Sequence, residues 1–376
     1  MNKAEAWEHF VNLYGDEFSR AKIMELEQRF RQRLEQFIRE FVESFREICT
    51  QIRTMQSRNE KGKISYITYS MLRTAILDRR PVYLVEAFDK DWFLDPAECQ
   101  VRYHPAWAWE LLYQLGLELE EKRKLYLNQI SQAKLKSFIL QETDLYHRYI
   151  IRLARYAMDQ ARQLPEFQAI EREPEFEVRV GEYLDLSELV YREIQFPEDP
   201  DARKAWIAAN SDLACIYGTL TDLNLAQGDY WGIDLQYSDL RGSNLSQSNL
   251  SFSTLTGAKF NRASLMESNL QEAWIFEADF GECDLRGANL SGTIGTDGRN
   301  GRDGEKPGFQ PVNFRGANLQ DAVFKDAKLC GANFYGADLV NTDFEGADLQ
   351  DVVFAKSDSM ILNLSEAQRQ QINWQE

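Results

Sequence analysis

The sequence FRGANLQDAVFKDAKLCGANFYGADLVNTDFEGADL (residues 314–349) repeats one pattern every five residues. Phe or Leu occupies the centre of each unit, a small residue usually lies two positions earlier, and Asn or Asp often comes directly before the centre. The same spacing starts at Leu220, pauses after Leu290 and resumes at Phe314, which gives 24 apolar centres. A spacing of five matches neither a helix face nor an alternating strand, so it predicts a solenoid whose units bury their centres only by stacking.

The order of Phe and Leu indicates how many units form one coil. Phe recurs every ten residues from Phe314 to Phe354, with Leu between. In a four-sided coil of twenty residues, Phe would stack on Phe along opposite walls. We therefore expect one internal column of side chains twenty residues apart, interrupted once. Its members are Leu220, Leu240, Phe260, Phe280, Phe314, Phe334 and Phe354.

The units Arg315-Gly-Ala-Asn-Leu319, Gly331-Ala-Asn-Phe334 and Gly346-Ala-Asp-Leu349 resemble the pentapeptide repeat family. The resemblance implies a right-handed quadrilateral β-helix over residues 211–364, with the centre and the small residue pointing inward. About six coils at the usual strand spacing would form a rod roughly 29 Å long.

Charge is unevenly distributed along the chain. The net charge is −17, and residues from Ser211 onward contribute −12 of it, from 24 acidic and 12 basic side chains. Such a rod lacks the Lys and Arg surface that phosphate contacts need, so we expect no direct binding to nucleic acid. A protein with a basic surface is the electrostatically favoured partner.

Other features exclude several classes of protein. No apolar run reaches the length of a membrane span, and the first residues do not form a signal peptide, so we expect no membrane association and a cytoplasmic location. The five cysteines are scattered and are expected to be reduced thiols. Cys99 and His104 lack the context of a nucleophile and its base, and the three histidines are far apart. We therefore predict a non-enzymatic protein without catalytic residues, cofactor or metal.

Residues 1–195 predict a mainly helical domain with possible short strands. A short helix would end at Gly15, and a long second helix would follow. Apolar residues in that second helix alternate steps of four and three, from Leu34 to Met55, and so share one face. This face is either a coiled-coil dimer seam or the core face of a helical domain, and its phenylalanines favour the core face.

The remaining segments of the chain have weaker signals. Short strands are expected at 64–69, 82–88 and 176–180, and a short helix at 187–194 with Ser187 as its N-cap. Residues 196–210 read as a hinge followed by a helix that caps the solenoid. A capping-box start at Ser365 predicts a C-terminal capping helix over 365–376. Exposed apolar residues at that end allow a homodimer contact.

The repeat is interrupted by a glycine-rich insertion at 292–312. Its composition is that of a tolerated flexible insertion. The alternative is a loop that grips a partner, since such loops matter in the gyrase-protecting members of the family it resembles. The candidate partner contacts there are Asp297, Arg299, Arg302 and Asp303.

Four aromatic residues of the repeat region, Trp231, Phe252, Trp274 and Phe276, are not centres. At twenty residues per coil, the first three lie on successive coils near one corner. Because the outer positions of such walls are usually polar, a bulky aromatic group there predicts a covered patch. Either residues 1–200 dock on it or a separate protein does.

These observations favour a scaffold or adaptor that presents an acidic β-helical surface to another protein. The resemblance also implies an alternative, since some acidic rods of this family mimic duplex DNA and protect or inhibit a type II topoisomerase such as gyrase. The large N-terminal domain departs from those compact proteins.

Overall fold

A computed structural model describes residues 2–209, 215–296 and 310–376. The chain forms two compact units, Met1–Arg192 and Glu193–Glu376, each with its own apolar core. The first unit is largely helical and also contains a sheet. The second is a solenoid.

The first unit begins with two helices, α1 (Lys3–Phe10) and α2 (Asp16–Ser57), joined by a π-helical turn over Val11–Gly15. The prediction that a helix ends at Gly15 was wrong, because the chain stays helical through this residue. A side chain at Gly15 would place its Cβ 3.3 Å from Cζ of Phe138. The glycine therefore permits close packing against a neighbouring helix instead of ending its own.

The apolar face of α2 lies inside the first unit. Phe41, Phe45 and Ile48 are fully buried. The Phe41 ring stacks on Tyr69 with centroids 4.6 Å apart, and the Phe45 ring lies 5.3 Å from Phe167. The alternating spacing therefore marks a core face of this unit.

The remaining helices of the first unit follow from dense helix-forming sequence. They are α3 (Arg73–Leu77), α4 (Ala106–Lys124), α5 (Gln132–Ala161) and α6 (Pro165–Gln168). The long helices α2, α4 and α5 contact one another. Ser131 caps α5 by accepting a hydrogen bond from the backbone N–H of Lys134.

The strands of the first unit form one five-stranded sheet with the order β3-β2-β1-β4-β5. The sheet is mixed, since β1 pairs antiparallel with β2 and parallel with β4, while β2 pairs antiparallel with β3. The strands are β1 (Ile64–Met71), β2 (Tyr83–Phe88), β3 (Gln100–Tyr103), β4 (Arg172–Glu182) and β5 (Ser187–Glu193).

The helix expected at 187–194 was wrong, because β5 occupies those residues. Ser187 does not cap a helix. Its Oγ accepts a hydrogen bond from Nε of Arg179 on the neighbouring strand, at 3.0 Å. Val190 is buried, and Tyr191 packs against the core. Pairing with β4 and this packing therefore override the helical propensity of a short segment.

The second unit begins with helix α7 (Pro200–Ala209), which packs on the first coils of the solenoid. Ile207 is buried in the solenoid core, and the rings of Phe196 and Trp206 meet edge to face at 5.2 Å. Lys204 Nζ donates to the carbonyl of Ala226 at 2.8 Å. These contacts cover apolar surface that the first coil would otherwise expose.

Each coil contains twenty residues and four bridged segments. Parallel bridges join Thr219 to Asp239, and the next three bridges follow at steps of five residues before Asp239 bridges to Lys259. Centres twenty residues apart therefore stack, as in Phe260 on Phe280, with centroids 4.9 Å apart and rings 2° from parallel. All seven members of the expected column are fully buried.

The coil turns through a residue with positive φ two positions after every centre except the last, Phe354. At the turn after Leu240, Ser243 N–H donates to the Leu240 carbonyl at 3.1 Å, and Gly242 has φ +70°. Positive φ at the third residue is characteristic of type II turns and costs little only for glycine. Many equivalent positions hold other residues, including Glu272 at φ +55°.

The insertion is shorter than expected, because residues 292–295 still belong to the coil. Ile294 bridges to both Trp274 and Lys328, and Gly295 N–H donates to the Lys328 carbonyl. After this point, bridged residues are separated by thirty-four positions in the sequence instead of twenty, as in Asp279 with Asn313. Backbone pairing of Ile294 keeps this glycine-containing segment in the wall.

The C-terminal segment contains a shorter helix than expected. Helix α8 (Glu366–Gln371) ends before Trp374, which was expected to be helical. Instead β7 (Asn373–Gln375) pairs in parallel with β6 (Val353–Ala355) and places Trp374 twenty residues after Phe354. The last coil offers unpaired backbone groups, so pairing there replaces a further helical turn.

Candidate interaction surface

The outward positions of the solenoid are the residue before each centre and the two turn residues after it. Asp or Asn before the centre accepts a hydrogen bond from the turn, as Asp284 does from Arg286 N–H at 3.3 Å. Ladders also join successive coils, as in Asn249 Nδ2 donating to Asp229 Oδ1 at 2.8 Å. Many of the carboxylates on the rod therefore also hold its coils together.

The charge state of these carboxylates follows from their partners. The hydrogen bonds from the Arg286 guanidinium hold the pKa of Asp284 below its ordinary value. A lowered pKa keeps this carboxylate ionised at neutral pH. Asp284 therefore remains an acceptor for the hydrogen bonds from Arg286.

Two of the four predicted surface aromatics contact each other. Trp231 and Phe252 occupy turn positions on successive coils, and their ring centroids are 6.0 Å apart. Trp231 is 63% exposed and Phe252 is 58% exposed. Phe252 also has φ +59°, in the left-handed region that favours glycine. We call this pair the aromatic corner.

The other two predicted aromatics lie on and beside the next wall. Trp274 is 48% exposed and bridges to Thr254 and Ile294 along that wall. Phe276 is partly exposed at the turn that follows. The structure thus places Trp274 and Phe276 on the side of the rod that begins at the aromatic corner.

The predicted loop contacts Asp297, Arg299, Arg302 and Asp303 lie outside the described residues. The described chain resumes at Gln310, whose N–H donates to Oε1 of Glu277 at 2.9 Å. Since Glu277 directly follows Phe276, the insertion rejoins the solenoid beside the predicted aromatic wall.

The sequence reading missed two further aromatics on this side. The rings of Tyr217 and Tyr237 stack with centroids 5.0 Å apart at 14°, at the turn position that Glu277 occupies two coils later. Their stacking could have been predicted, because the two tyrosines are twenty residues apart at a position that is not a centre. Ile294, beside Trp274 on the wall, was missed because the insertion was expected to begin before it.

Three arginines lie along one edge of the rod, together with several carboxylates. Arg241, Arg262 and Arg315 all follow centres of the 220–354 column, so they lie along one edge. An open groove of about 770 Å³ runs beside them. Arg241 donates two hydrogen bonds to Asp239, and Arg262 lies 3.3 Å from Glu282. We call this the arginine edge.

The five cysteines and His147 are buried. All five cysteines are free thiols and buried, and burial raises the pKa of Cys99 to about 11, the opposite of an activated nucleophile. His147 Nδ1 lies 2.6 Å from the Tyr83 hydroxyl, and burial lowers the pKa of His147 to about 4. Within the described ranges, no group of three His, Cys, Asp or Glu side chains is arranged to hold a metal ion.

Among the residues described, no helix combines the length and the apolar composition that crossing a bilayer requires.

Comparison with solved structures finds several pentapeptide repeat proteins. Rfr23 from the cyanobacterium Cyanothece 51142 is 25% identical over 36% of this chain and 85% of its own, with a TM-score of 0.16. HetL, a pentapeptide repeat protein involved in heterocyst differentiation regulation in Nostoc sp. strain PCC 7120, is 24% identical over 40% of this chain and 81% of its own, with a TM-score of 0.16.

A third solved structure is full-length QnrB1, a plasmid-mediated fluoroquinolone resistance protein. It is 14% identical over 42% of this chain and 91% of its own, with a TM-score of 0.16. No curated protein matches the chain.

The family model described as pentapeptide repeats matches the chain in eight copies. The matched residues lie wholly within the second unit, and they contain the stacked centres, bridges and turns described above. Residues 233–271 and 312–346 of this chain are therefore pentapeptide repeats.

Proposed function

We propose that this protein is a non-enzymatic scaffold or adaptor that binds another protein through the side of the solenoid beginning at the aromatic corner. The observation that carries the proposal is the contact between two largely exposed rings, Trp231 and Phe252. Tryptophan and other large side chains at the centre of an interface supply most of its binding free energy.

The form of the rod supports this role. Four bridged segments per twenty-residue coil support a right-handed, four-sided β-helix, which would present broad walls. The net charge of −12 from Ser211 onward supports a partner with a basic surface. Cytoplasmic location and a homodimer through the C-terminal end both stay predictions.

The test of this proposal is quantitative capture of partners from a native lysate by the full chain. The Trp231→Ala, Phe252→Ala double variant should bind its specific partner about thirtyfold more weakly, as expected for interface hot spots. Val340→Ala is the matched control, because Val340 is 48% exposed on the same solenoid. Equal capture by all three proteins would contradict the proposal.

A second candidate is mimicry of duplex DNA toward a type II topoisomerase. The acidic composition of the second unit favours it. The arginine edge weakens it, since three cationic side chains along one edge interrupt a continuous negative surface. A supercoiling assay with purified gyrase, with and without a poison, tests this candidate. Absence of any effect at stoichiometric excess would exclude it.

A further inference from the structure

The first unit contains a largely apolar cavity among α3, α4 and α5, which opens to solvent beside the exposed Leu117, Arg79 and Lys136. Its volume is about 180 Å³. For scale, an engineered apolar cavity of about 150 Å³ binds benzene. A ring or a short aliphatic chain therefore fits. The aliphatic lining includes Ile76, Leu112, Leu117, Leu135, Ile139 and Leu140.

Gly116 lines this cavity from the middle of α4. A glycine weakens a helix interior, so its presence needs a reason. Packing does not supply one, because a Cβ built at Gly116 would lie 3.9 Å from Ile139, which is ordinary contact. What the missing side chain provides is space in the cavity.

Tyr113 lines the cavity with its ring, and its hydroxyl does not face the space that a ligand could occupy. Its oxygen is buried and has no hydrogen-bond partner among the residues the structure describes. Burial raises the pKa of Tyr113 to about 12, so the hydroxyl keeps its proton at neutral pH. The hydroxyl is therefore not available to a ligand, and Tyr113 contributes apolar ring surface to the lining.

The charged side chains of the lining favour an anion. Arg79 and Lys136 line the cavity, and neither forms an ion pair within the described ranges. The one carboxylate in the lining, Glu120, is already held by two hydrogen bonds from Arg123, at 2.8 and 2.9 Å. Two unpaired cations therefore border an apolar space.

We propose that this cavity binds a small monocarboxylate with an apolar body. The body, of about eight carbons or one ring, occupies the aliphatic space that Gly116 leaves open. The carboxylate lies toward Arg79 and Lys136. This would make the first unit a ligand-binding module, a role separate from the partner surface of the solenoid.

The experiment compares octanoate, octanol and octylamine as probes of the full-length protein by isothermal titration calorimetry. Octanoate should bind at one saturable site, about tenfold more tightly than octanol, because charge-assisted hydrogen bonds exceed neutral ones. Octylamine should bind most weakly. The Arg79→Gln, Lys136→Gln double variant should lose the preference for octanoate, and Tyr113→Phe should leave that preference unchanged.

Arg80→Gln is the matched control, since Arg80 neighbours Arg79, is exposed and does not line the cavity. It should leave octanoate binding unchanged. Gly116→Leu should abolish binding while circular dichroism shows the helices intact. The proposal is overturned if octanoate does not saturate, if it binds no better than octanol, or if the double variant and Arg80→Gln behave alike.

Discussion

The two units of this chain build their cores from opposite kinds of contact. In the first unit, Phe41 of α2 stacks on Tyr69 of β1, and Phe45 packs on Phe167, 122 positions later in the sequence. In the solenoid, buried phenylalanine centres stack on phenylalanines of neighbouring coils, as Phe334 does on Phe314 and Phe354 at 4.7 and 5.0 Å. One core is assembled from distant, unlike residues and the other from near, like ones.

The same contrast appears in the buried polar groups. In the solenoid, the buried Ser243 hydroxyl donates to the Leu220 carbonyl at 2.6 Å and accepts from Leu223 N–H at 3.0 Å. In the first unit, the buried Tyr146 hydroxyl and the Trp109 indole N–H have no partner among the described residues. In a repeat, the same hydrogen-bonding arrangement recurs in successive coils, whereas in a core without repeats each buried polar group needs its own partner.

The largest expected effect comes from Phe314→Ala. This ring contacts Phe280, Phe324 and Phe334, and its loss should destabilise the second unit by about 3–5 kcal/mol. Because repeats contact only their neighbours, hydrogen exchange should increase first in the adjacent coils. Urea denaturation with mass-spectrometric exchange measures both. Phe252→Ala, at a 58% exposed ring, should change stability by less than about 0.5 kcal/mol. Faster exchange spread evenly over both units would contradict the comparison.

The second prediction distinguishes the two units by the pH dependence of their stability. The pKa of His147 is about 4 in the folded state and 6.5 when unperturbed, so the unfolded chain binds the proton more readily. The stability contributed by neutral His147 is present above pH 6.5 and is lost as pH falls toward 4, by up to about 3 kcal/mol. The second unit has no histidine. The pKa of Asp284 lies below 3.8, so its contribution persists through this window.

Limited proteolysis and thermal melts at pH 7 and pH 4.5 should therefore show the first unit weakening more than the second. His147→Gln keeps a polar group beside Tyr83 and should flatten the pH dependence of the first unit. An equal pH response of both units, or an unchanged response in the variant, would show that His147 is not the cause.

The third prediction compares two buried hydroxyls. Ser243→Ala leaves the Leu220 carbonyl and Leu223 N–H without their side-chain partner, which should cost about 1–3 kcal/mol. Tyr146→Phe removes a hydroxyl that has no partner and should be close to neutral. Chemical denaturation of both variants measures the difference. Equal losses would mean that Tyr146 has a hydrogen-bond partner in solution.

The smallest expected effect compares two glycines with open space around the missing side chain. Gly336 has φ +73° and Gly62 does not have positive φ, and a Cβ at either would meet nothing within 4 Å. Gly336→Ala should destabilise by about 1 kcal/mol, because left-handed backbone strains an alanine. Gly62→Ala should be neutral or stabilise by about 0.4–1 kcal/mol. Thermal melts of the two variants should shift in different directions.

Sequence reasoning predicted the solenoid in detail because its contacts are periodic. Residues twenty apart become neighbours, so the stacking of Phe260 on Phe280 and of Phe314 on Phe334 could be predicted by counting, as could the adjacency of Trp231 and Phe252, which are twenty-one apart. It misplaced the insertion because Ile294 stays in the wall through backbone bridges, which leave no signal in a glycine-containing segment. It also missed the Tyr113 cavity, whose walls come from three helices separated along the chain.

The sequence by itself determined the repeat, the twenty-residue coil, the acidic character of the second unit and the core face of α2, since each depends on spacing or composition within one segment. Tertiary structure alone decided that residues 187–193 form a strand and that Trp374 closes the last coil, because pairing partners there compete with local helix propensity. It also decided which polar groups are buried without partners. Such burial depends on residues that only folding brings together, and no local pattern encodes it.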